Sequence, residues 1–417
     1  AKKEDPIPGE DVYLSIDADL QKKAYDMLEE RIAGILLTYM SDTTTNTGSD
    51  IMIPIKEYYY ALIDNNVISL SHLSADDADD REKSFWKDYK NYESSIASSL
   101  DSKMDTALGV LDDEYKDYLF MTYSMLYDKS ILITGDLDDN DDTLAKWNDG
   151  SISFNALLDY AITKDIVNIS ALNLESDYLD TNEIYQALIE YVAQELPLYE
   201  GFEKKAIYYT LESDYISGTD ICLLLYSQHV LEEDDDYQGL LSGSLSAKNF
   251  MYNKIYNLEI TPDMLALPPC SGSFVLTDIN TGKVKALVSY PGYDANQINN
   301  VSYYASLINN SSSPLYNRAT QQTLAPGSTF KPISAIAGLE EGVIDADTYI
   351  TDYVEYTKVV PHANCWNSAG HGTINVEQAI EYSCNYFFYE VGYRLGSKNN
   401  TTELNDSTGL ALLAKYA

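Results

Sequence analysis

Cationic side chains are scarce in this sequence: 27 Lys and Arg stand against 66 Asp and Glu, a formal net charge of −39 over 417 residues. A surface of that sign repels nucleic acid and anionic headgroups, so no nucleic acid is expected as a partner. Cysteine is as sparse. The four, Cys222, Cys270, Cys365 and Cys384, show no C-x-x-C spacing and, set against His72 and His229, spell no metal-ligand pattern, so neither a metal nor a cofactor is expected. Cys365 and Cys384 bracket a short segment and stay open to two readings, a pair in an oxidising compartment or free buried thiols. Long apolar runs are missing too. Nothing approaches the roughly 20 residues that span a bilayer, and no export signal is visible. The sequence opens at Ala1 without methionine, which leaves room for an anchor or signal upstream. What remains is globular, since 45% hydrophobic and 12% aromatic residues fill two or three cores.

Three textures succeed one another. Val12–Ile16 reads as a strand, and Asp17 then caps a helix whose apolar positions Leu20, Ala24, Met27, Leu28 and Ile32 recur at helical spacing. Residues 1–37 form this first segment. Residues 38–267 are rich in Asp, Tyr and Leu, with helices predicted near 54–65, 80–100, 113–127, 182–196 and 203–213 between acidic loops. This is read as a mostly helical insertion. From residue 268 to 417 the period changes to two, with Phe274 and Leu276 answering Val284, Ala286 and Val288 across an Asn280-Thr281-Gly282 turn, a hairpin signal.

A polar loop leads from the hairpin to Ala325-Pro326-Gly327-Ser328-Thr329-Phe330-Lys331. Residues three apart on a helix share a face, so a helix starting at Ser328 brings its hydroxyl beside the Lys331 amine. Pro332 fits a first turn, Ile333, Ile336, Ala337 and Leu339 supply an apolar stripe, and Gly342 stops the helix. Ser328 then lies at the positive end of a helix dipole, where backbone N–H groups favour developing negative charge. A serine hydroxyl needs a base, and lysine serves as one only when burial lowers its pKa. Farther on, Asn375 with Gln378 signals a capping box, and a helix with Phe387, Phe388, Val391 and Leu395 on one face ends at Gly396. Between them lies Ser383-Cys384-Asn385. In an extended link, Ser383 and Asn385 face one cleft while Cys384 turns away. The combination predicts acyl transfer.

Ser328-Thr329-Phe330-Lys331 followed by Ser383-Cys384-Asn385 resembles the first two motifs of the penicillin-binding proteins and serine β-lactamases. The runs Pro314-Leu315-Tyr316-Asn317-Arg318-Ala319, Gly370-His371-Gly372-Thr373 and Ser289-Tyr290-Pro291 with Tyr293-Asp294 resemble class B penicillin-binding proteins of the elongation type. Ser15-Ile16-Asp17 with Leu20-Gln21 resembles the opening of the same domain. The resemblance implies an α+β transpeptidase core, an antiparallel sheet flanked by helices, with Ser328 as the acylated nucleophile, Lys331 as its base, and Ser383 and Asn385 lining the cleft. It implies D-Ala-D-Ala stem peptides of peptidoglycan as substrate, covalent trapping by β-lactams, and an extracytoplasmic place on a bacterial membrane with an anchor upstream of residue 1. Hydrolysis as a carboxypeptidase or β-lactamase, and a non-catalytic cell-wall scaffold, are the alternatives. The family's third motif, Lys-Thr/Ser-Gly, does not occur in the chain, so the core is expected to be incomplete at its C-terminus and the site unfinished within residues 1–417. The insertion at 38–267 matches no family pattern and is expected to dock other wall-synthesis proteins.

The chain carries its own controls. Ser84-Phe85-Trp86-Lys87 and Ser153-Phe154-Asn155 fit the same two short patterns but sit in the insertion without the turn and hairpin, and are read as ordinary helix positions. His371, between glycines, is read as a turn residue with a satisfied ring. The acidic run Asp136–Asp142 has Asp141 where a calcium loop needs glycine and Trp147 where it needs glutamate, so it is read as a solvated loop. Tyr58-Tyr59-Tyr60 is read as core and surface filling rather than as a sugar platform.

Overall fold

Asp17 caps the first helix, Ala18–Tyr39, its Oδ1 accepting the N–H groups of Asp19 and Leu20 at 3.1 Å each. The residues before it do not form the expected strand. Val12, Tyr13 and Leu14 are 84, 90 and 74% exposed, and their stretch is tied to the hairpin only near its end, by Ser15 Oγ donating to Val284 O at 2.7 Å and Asp17 N to Lys285 O at 2.9 Å. Among the described residues no strand takes its N–H and C=O groups, so a run of β-branched and aromatic residues finds nothing there to pair with. The computed structural model describes residues 9, 11–42, 52–133, 141–172, 180–398 and 404–417. They form two compact units, Ala1–Gln321 and Gln322–Ala417.

In the first unit the predicted helices appear at Ile55–Asp64, Asp80–Lys103, Asp113–Asp128, Thr181–Glu195 and Phe202–Glu212. Gly218–Ser227 and Ala247–Tyr256 are among the further helices that join them. Capping boxes open Asp80–Lys103 at Asp79 with Glu82 and Thr181–Glu195 at Asp180 with Glu183, each cap contributing about 1 kcal/mol. Their apolar faces share one core that includes Leu36, Leu62, Tyr89, Leu119, Phe154, Leu188 and Leu224. Tyrosine does much of the filling. Tyr58 is fully buried and donates its hydroxyl to Leu36 O at 2.7 Å, Tyr59 is 6% exposed, and Tyr60 packs edge-on against Tyr208 at 5.0 Å, which removes all three rings from service as a platform.

The hairpin of the first unit pairs Gly272–Thr277 with Val284–Tyr290, Phe274 opposite Val288 and Leu276 opposite Ala286, with a bulge at Leu276/Thr277. Ala286, Val288 and Tyr290 are buried, and the strand packs on the Ala18–Tyr39 helix, where Gln21 Nε2 donates to Leu287 O at 2.8 Å. The predicted stripe on that helix is only partly covered. Leu20 and Met27 remain 42 and 56% exposed and, with Phe274 and Leu276, line an open apolar groove of about 630 Å³.

The second unit is α+β on a smaller scale. Ile350–Asp352 pairs antiparallel with Gly372–Ile374, and the helices Lys331–Glu340, Val376–Glu381, Asn385–Gly396 and Asp406–Ala414 surround a core of Ala335, Ala337, Ile350, Ala379, Phe387, Val391 and Leu395. Here the apolar stripe of the Lys331–Glu340 helix differs from expectation. Ile336 and Leu339 are 47 and 40% exposed, and the buried face is made by Ala335, Ala337 and Gly338. A close crossing explains it: a Cβ on Gly338 would stand 3.0 Å from side-chain carbons of both Val391 and Ile344. Among the described residues no helix is long and apolar enough to cross a membrane.

Candidate active site

Ser328 does not open the α-helix; it lies in a 3-10 turn, Gly327–Phe330, that feeds the helix Lys331–Glu340. Gly327 has φ 58°, a left-handed value open to glycine, and Pro332 sits in the first turn as expected. A 3-10 turn eclipses residues three apart, which aligns the side chains of Ser328 and Lys331 more directly than an α-helix does. Lys331 Nζ donates to Ser328 Oγ at 3.1 Å. Ser328 itself is exposed.

From the other side comes the link between two helices. Asn375 Oδ1 accepts Gln378 N–H and Gln378 Oε1 accepts Asn375 N–H, both at 3.1 Å, opening Val376–Glu381 with the expected capping box. The link that follows is not extended. Ser383 has φ 52°, Cys384 caps the helix Asn385–Gly396 at φ −68° and ψ 114°, and Asn385 is that helix's first residue. The left-handed turn still sends Ser383 and Asn385 to one side. Lys331 Nζ donates to Ser383 Oγ at 2.9 Å, to Ser383 O at 2.7 Å and to Asn385 Oδ1 at 2.6 Å, while Ser383 Oγ donates to Ser328 Oγ at 3.0 Å. The four residues predicted for the site therefore meet around one amine. Burial lowers the Lys331 pKa, against the opposing influence of the Cys365 and Cys384 sulfurs.

Trp366 adds a fifth member that the motifs do not announce. Its ring is 65% exposed, yet its indole N–H donates to Ser383 O at 3.1 Å and approaches Tyr382 O at 3.3 Å.

Cys384 turns inward, fully buried, and joins a cluster that sequence reading passed over by weighing only His72 and His229. One ligand atom each from Asp352, Cys365, His371 and Cys384 lie within 4.8 Å of one another. His371 Nδ1 is 2.7 Å from Asp352 Oδ2 and 3.5 Å from Cys365 Sγ, and Cys384 Sγ donates to Asp352 Oδ2 at 3.4 Å. The two sulfurs stand 4.0 Å apart as thiols. Burial pushes the Cys384 thiol up to about 12, whereas Asp352 is held below the usual carboxylate range: its own burial opposes this, and hydrogen bonds from Val354 N–H, His371, Cys365 and Cys384 outweigh it. The His371 ring is held at Nδ1 by Asp352, while among the described residues no partner is recorded for its buried Nε2. Two sulfurs, one imidazole nitrogen and one carboxylate are donor types that Zn²⁺ takes, but His371 Nδ1 and Asp352 Oδ2, hydrogen-bonded at 2.7 Å, stand closer than the roughly 3.2–3.8 Å between donors of a tetrahedral ion and would have to separate to hold one. With all four as ligands no position would be left open, so such an ion would supply only rigidity, here to the residue between Ser383 and Asn385.

The look-alike motifs stay ordinary. Ser84 and Lys87 are exposed on the Asp80–Lys103 helix. Ser153 caps a helix by accepting Ala156 N–H at 3.2 Å, and Asn155 Nδ2 donates to Asp105 Oδ1 at 2.7 Å. Residues 136–140 of the acidic run lie outside the described residues; Asp141 caps Asp142–Asn148 and Trp147 is buried against Phe154 at 5.4 Å.

Residues 272–407 match the family described as penicillin binding protein transpeptidase domain. Peptidoglycan D,D-transpeptidase MrdA of Escherichia coli (strain K12) is 40% identical over 127 residues, 29% of this chain and 20% of that protein. The protein of the same name from Acinetobacter baumannii is 38% identical over 130 residues, 30% of this chain and 19% of that protein. Peptidoglycan D,D-transpeptidase PbpA of Mycobacterium tuberculosis is 33% identical over 144 residues, 31% and 28% of the two chains. The crystal structure of Pseudomonas aeruginosa PBP2 in complex with WCK 5153 is 31% identical, covering 35% of this chain and 32% of that one at a TM-score of 0.30. The chain thus spans about a fifth of the length of the MrdA relatives it matches.

Proposed function

We infer, from a chain whose residues 272–407 carry a penicillin-binding-protein transpeptidase domain of the class B, elongation type, that it serves peptidoglycan D,D-transpeptidation through an acyl-enzyme on Ser328. The triangle of Ser328 Oγ, Ser383 Oγ and Lys331 Nζ, with sides of 3.1, 2.9 and 3.0 Å, carries the reading. In its neutral form Lys331 takes the Ser328 proton as Oγ attacks the carbonyl of the penultimate D-Ala of a stem peptide. Backbone N–H groups of the 3-10 turn favour the negative charge that forms on the carbonyl oxygen. Collapse breaks the peptide bond, and the proton passes by way of Ser383 to the departing amine, releasing the terminal D-Ala. An amine of a neighbouring stem then attacks the ester, the same groups take its proton, and Ser328 regains its hydrogen.

A β-lactam offers the same carbonyl in a ring and would leave its opened acyl group on Ser328. Substrates of this kind place the reaction on the extracytoplasmic face of a bacterial membrane. Residues 38–267 are assigned as an insertion that docks other wall-synthesis proteins, and a deletion of it that kept both acylation and cell shape would remove that assignment. The main test is incubation of the chain, with its full-length natural form in parallel, with a β-lactam, followed by peptide mass spectrometry. An adduct on Ser328 that disappears in Ser328→Ala supports the reading. No adduct on either form overturns it in favour of a non-catalytic wall scaffold.

A further inference from the structure

Two motif runs that the chemistry at Ser328 does not use, Ser289–Asp294 and Pro314–Arg318, build a cleft of about 600 Å³ within the unit Ala1–Gln321. Ser289 Oγ donates to Tyr316 O at 3.2 Å and accepts Arg318 N–H at 3.0 Å, and the buried Arg318 donates Nη1 to Ser313 O at 3.1 Å, so the second run is fastened against the strand that carries the first. On the helix side, Gln21 exchanges two hydrogen bonds with the backbone of Leu287, at 2.8 and 2.7 Å. Gly292 leaves room for an aromatic ring: a Cβ there would stand 3.1 Å from Tyr25 Cε2.

The polar groups of this cleft are oriented rather than merely present. Tyr25 Oη accepts Gly292 N–H at 3.3 Å and Tyr303 Oη accepts Asp294 N–H at 2.7 Å. A phenol that accepts through its oxygen still has a proton to give, and among the described residues no acceptor is recorded for either one. Tyr293, its residue 47% exposed, and Asn317 line the cleft as well. No Lys or Arg lines it, and its one charged side chain, Asp294, is occupied by the side-chain amides of Asn296 and Gln297 at 3.0 Å each. Two phenols with a proton left to give, flat aromatic faces, a neutral amide and no lining cation suit a neutral ring bearing many oxygen acceptors, and they disfavour an anion.

We propose that this cleft is a saccharide subsite that takes an N-acetylated sugar, the acetamido carbonyl and ring hydroxyls accepting from Tyr25 and Tyr303. The proposal goes beyond the acyl transfer assigned to Ser328 and is tested on different residues with a different readout. The probe is chitotetraose, followed by saturation-transfer NMR on the full chain at about 1 mM saccharide, the range of a weak single subsite. Transfer to the acetamido methyl groups is expected. Tyr25→Phe and Tyr303→Phe keep the rings and delete the two donors, and each is expected to weaken binding about three- to tenfold. Tyr293→Ala, at an exposed ring, is expected to weaken it while leaving the thermal midpoint unchanged. Absence of transfer, equal transfer in the wild type and all three variants, or stronger transfer to tetra-alanine than to the saccharide would overturn the proposal. None of these outcomes touches the β-lactam adduct on Ser328.

Discussion

Trp366 gives its indole proton to the Ser383 carbonyl at 3.1 Å, the same oxygen that Lys331 Nζ reaches at 2.7 Å. One carbonyl is thereby held from two sides, by a neutral donor in the open and by the amine proposed as the base. Trp366→Phe keeps a large ring and removes the donor. Loss of one hydrogen bond of this kind is expected to slow β-lactam acylation about three- to tenfold with little change in thermal midpoint. Stopped-flow acylation with a fluorescent penicillin measures it, and an unchanged rate would show that Lys331 alone positions Ser383.

Burial sets the sign of the pH dependence. Burial holds the Lys331 pKa below the usual 10.5 of a lysine, and in the proposed mechanism only its neutral form accepts the Ser328 proton. The acylation rate should therefore rise with pH through a midpoint below 10.5 and then level off. Asn385→Asp places a negative charge 2.6 Å from the amine, favours the ammonium, and is expected to move that midpoint upward. A midpoint that stays put or falls in the variant would exclude Lys331 as the titrating base.

The two serine motifs separate by what their replacement costs. Ser153→Ala removes a helix cap and is expected to lower stability by about 1 kcal/mol while leaving acylation unchanged. Ser328→Ala, at an exposed position, is expected to abolish acylation and leave stability within about 0.5 kcal/mol. Denaturant melts and adduct mapping on the same two variants decide both.

The cluster below Ser383 makes a prediction about metal. Zn²⁺ added to the reduced chain should load one equivalent, release protons as the thiols ionise, and raise the thermal midpoint. Chelation should reverse the rise, and Cys384→Ala should abolish loading. Unchanged stoichiometry in Cys384→Ala would place the ion elsewhere.

Helices with one apolar face were readable, as Asp113–Asp128 and Thr181–Glu195 illustrate. Gly218–Ser227 was not, because Ile221 to Tyr226 are all buried and a helix covered on every side shows no stripe, although Ser217 and Asp220 spell its capping box. Val12–Ile16 has strand composition, but among the described residues no strand pairs with it, which composition alone does not reveal. At the site, Ser328 with Lys331 and Ser383 with Asn385 were legible from local spacing. Trp366 and the set of Asp352, Cys365, His371 and Cys384 were not, since their members are separated along the chain and are brought together by the pairing of Ile350–Asp352 with Gly372–Ile374 and by the inward turn at Cys384.

The left-handed backbone at Ser383 narrows what evolution can write there. Glycine would relax the turn and delete the hydroxyl; threonine would keep the hydroxyl, but its branched β-carbon is poorly suited to a φ of 52°. Serine alone among the three meets both demands, so under the proposed mechanism the position answers to chain geometry and proton transfer together, and selection on either one would preserve the other.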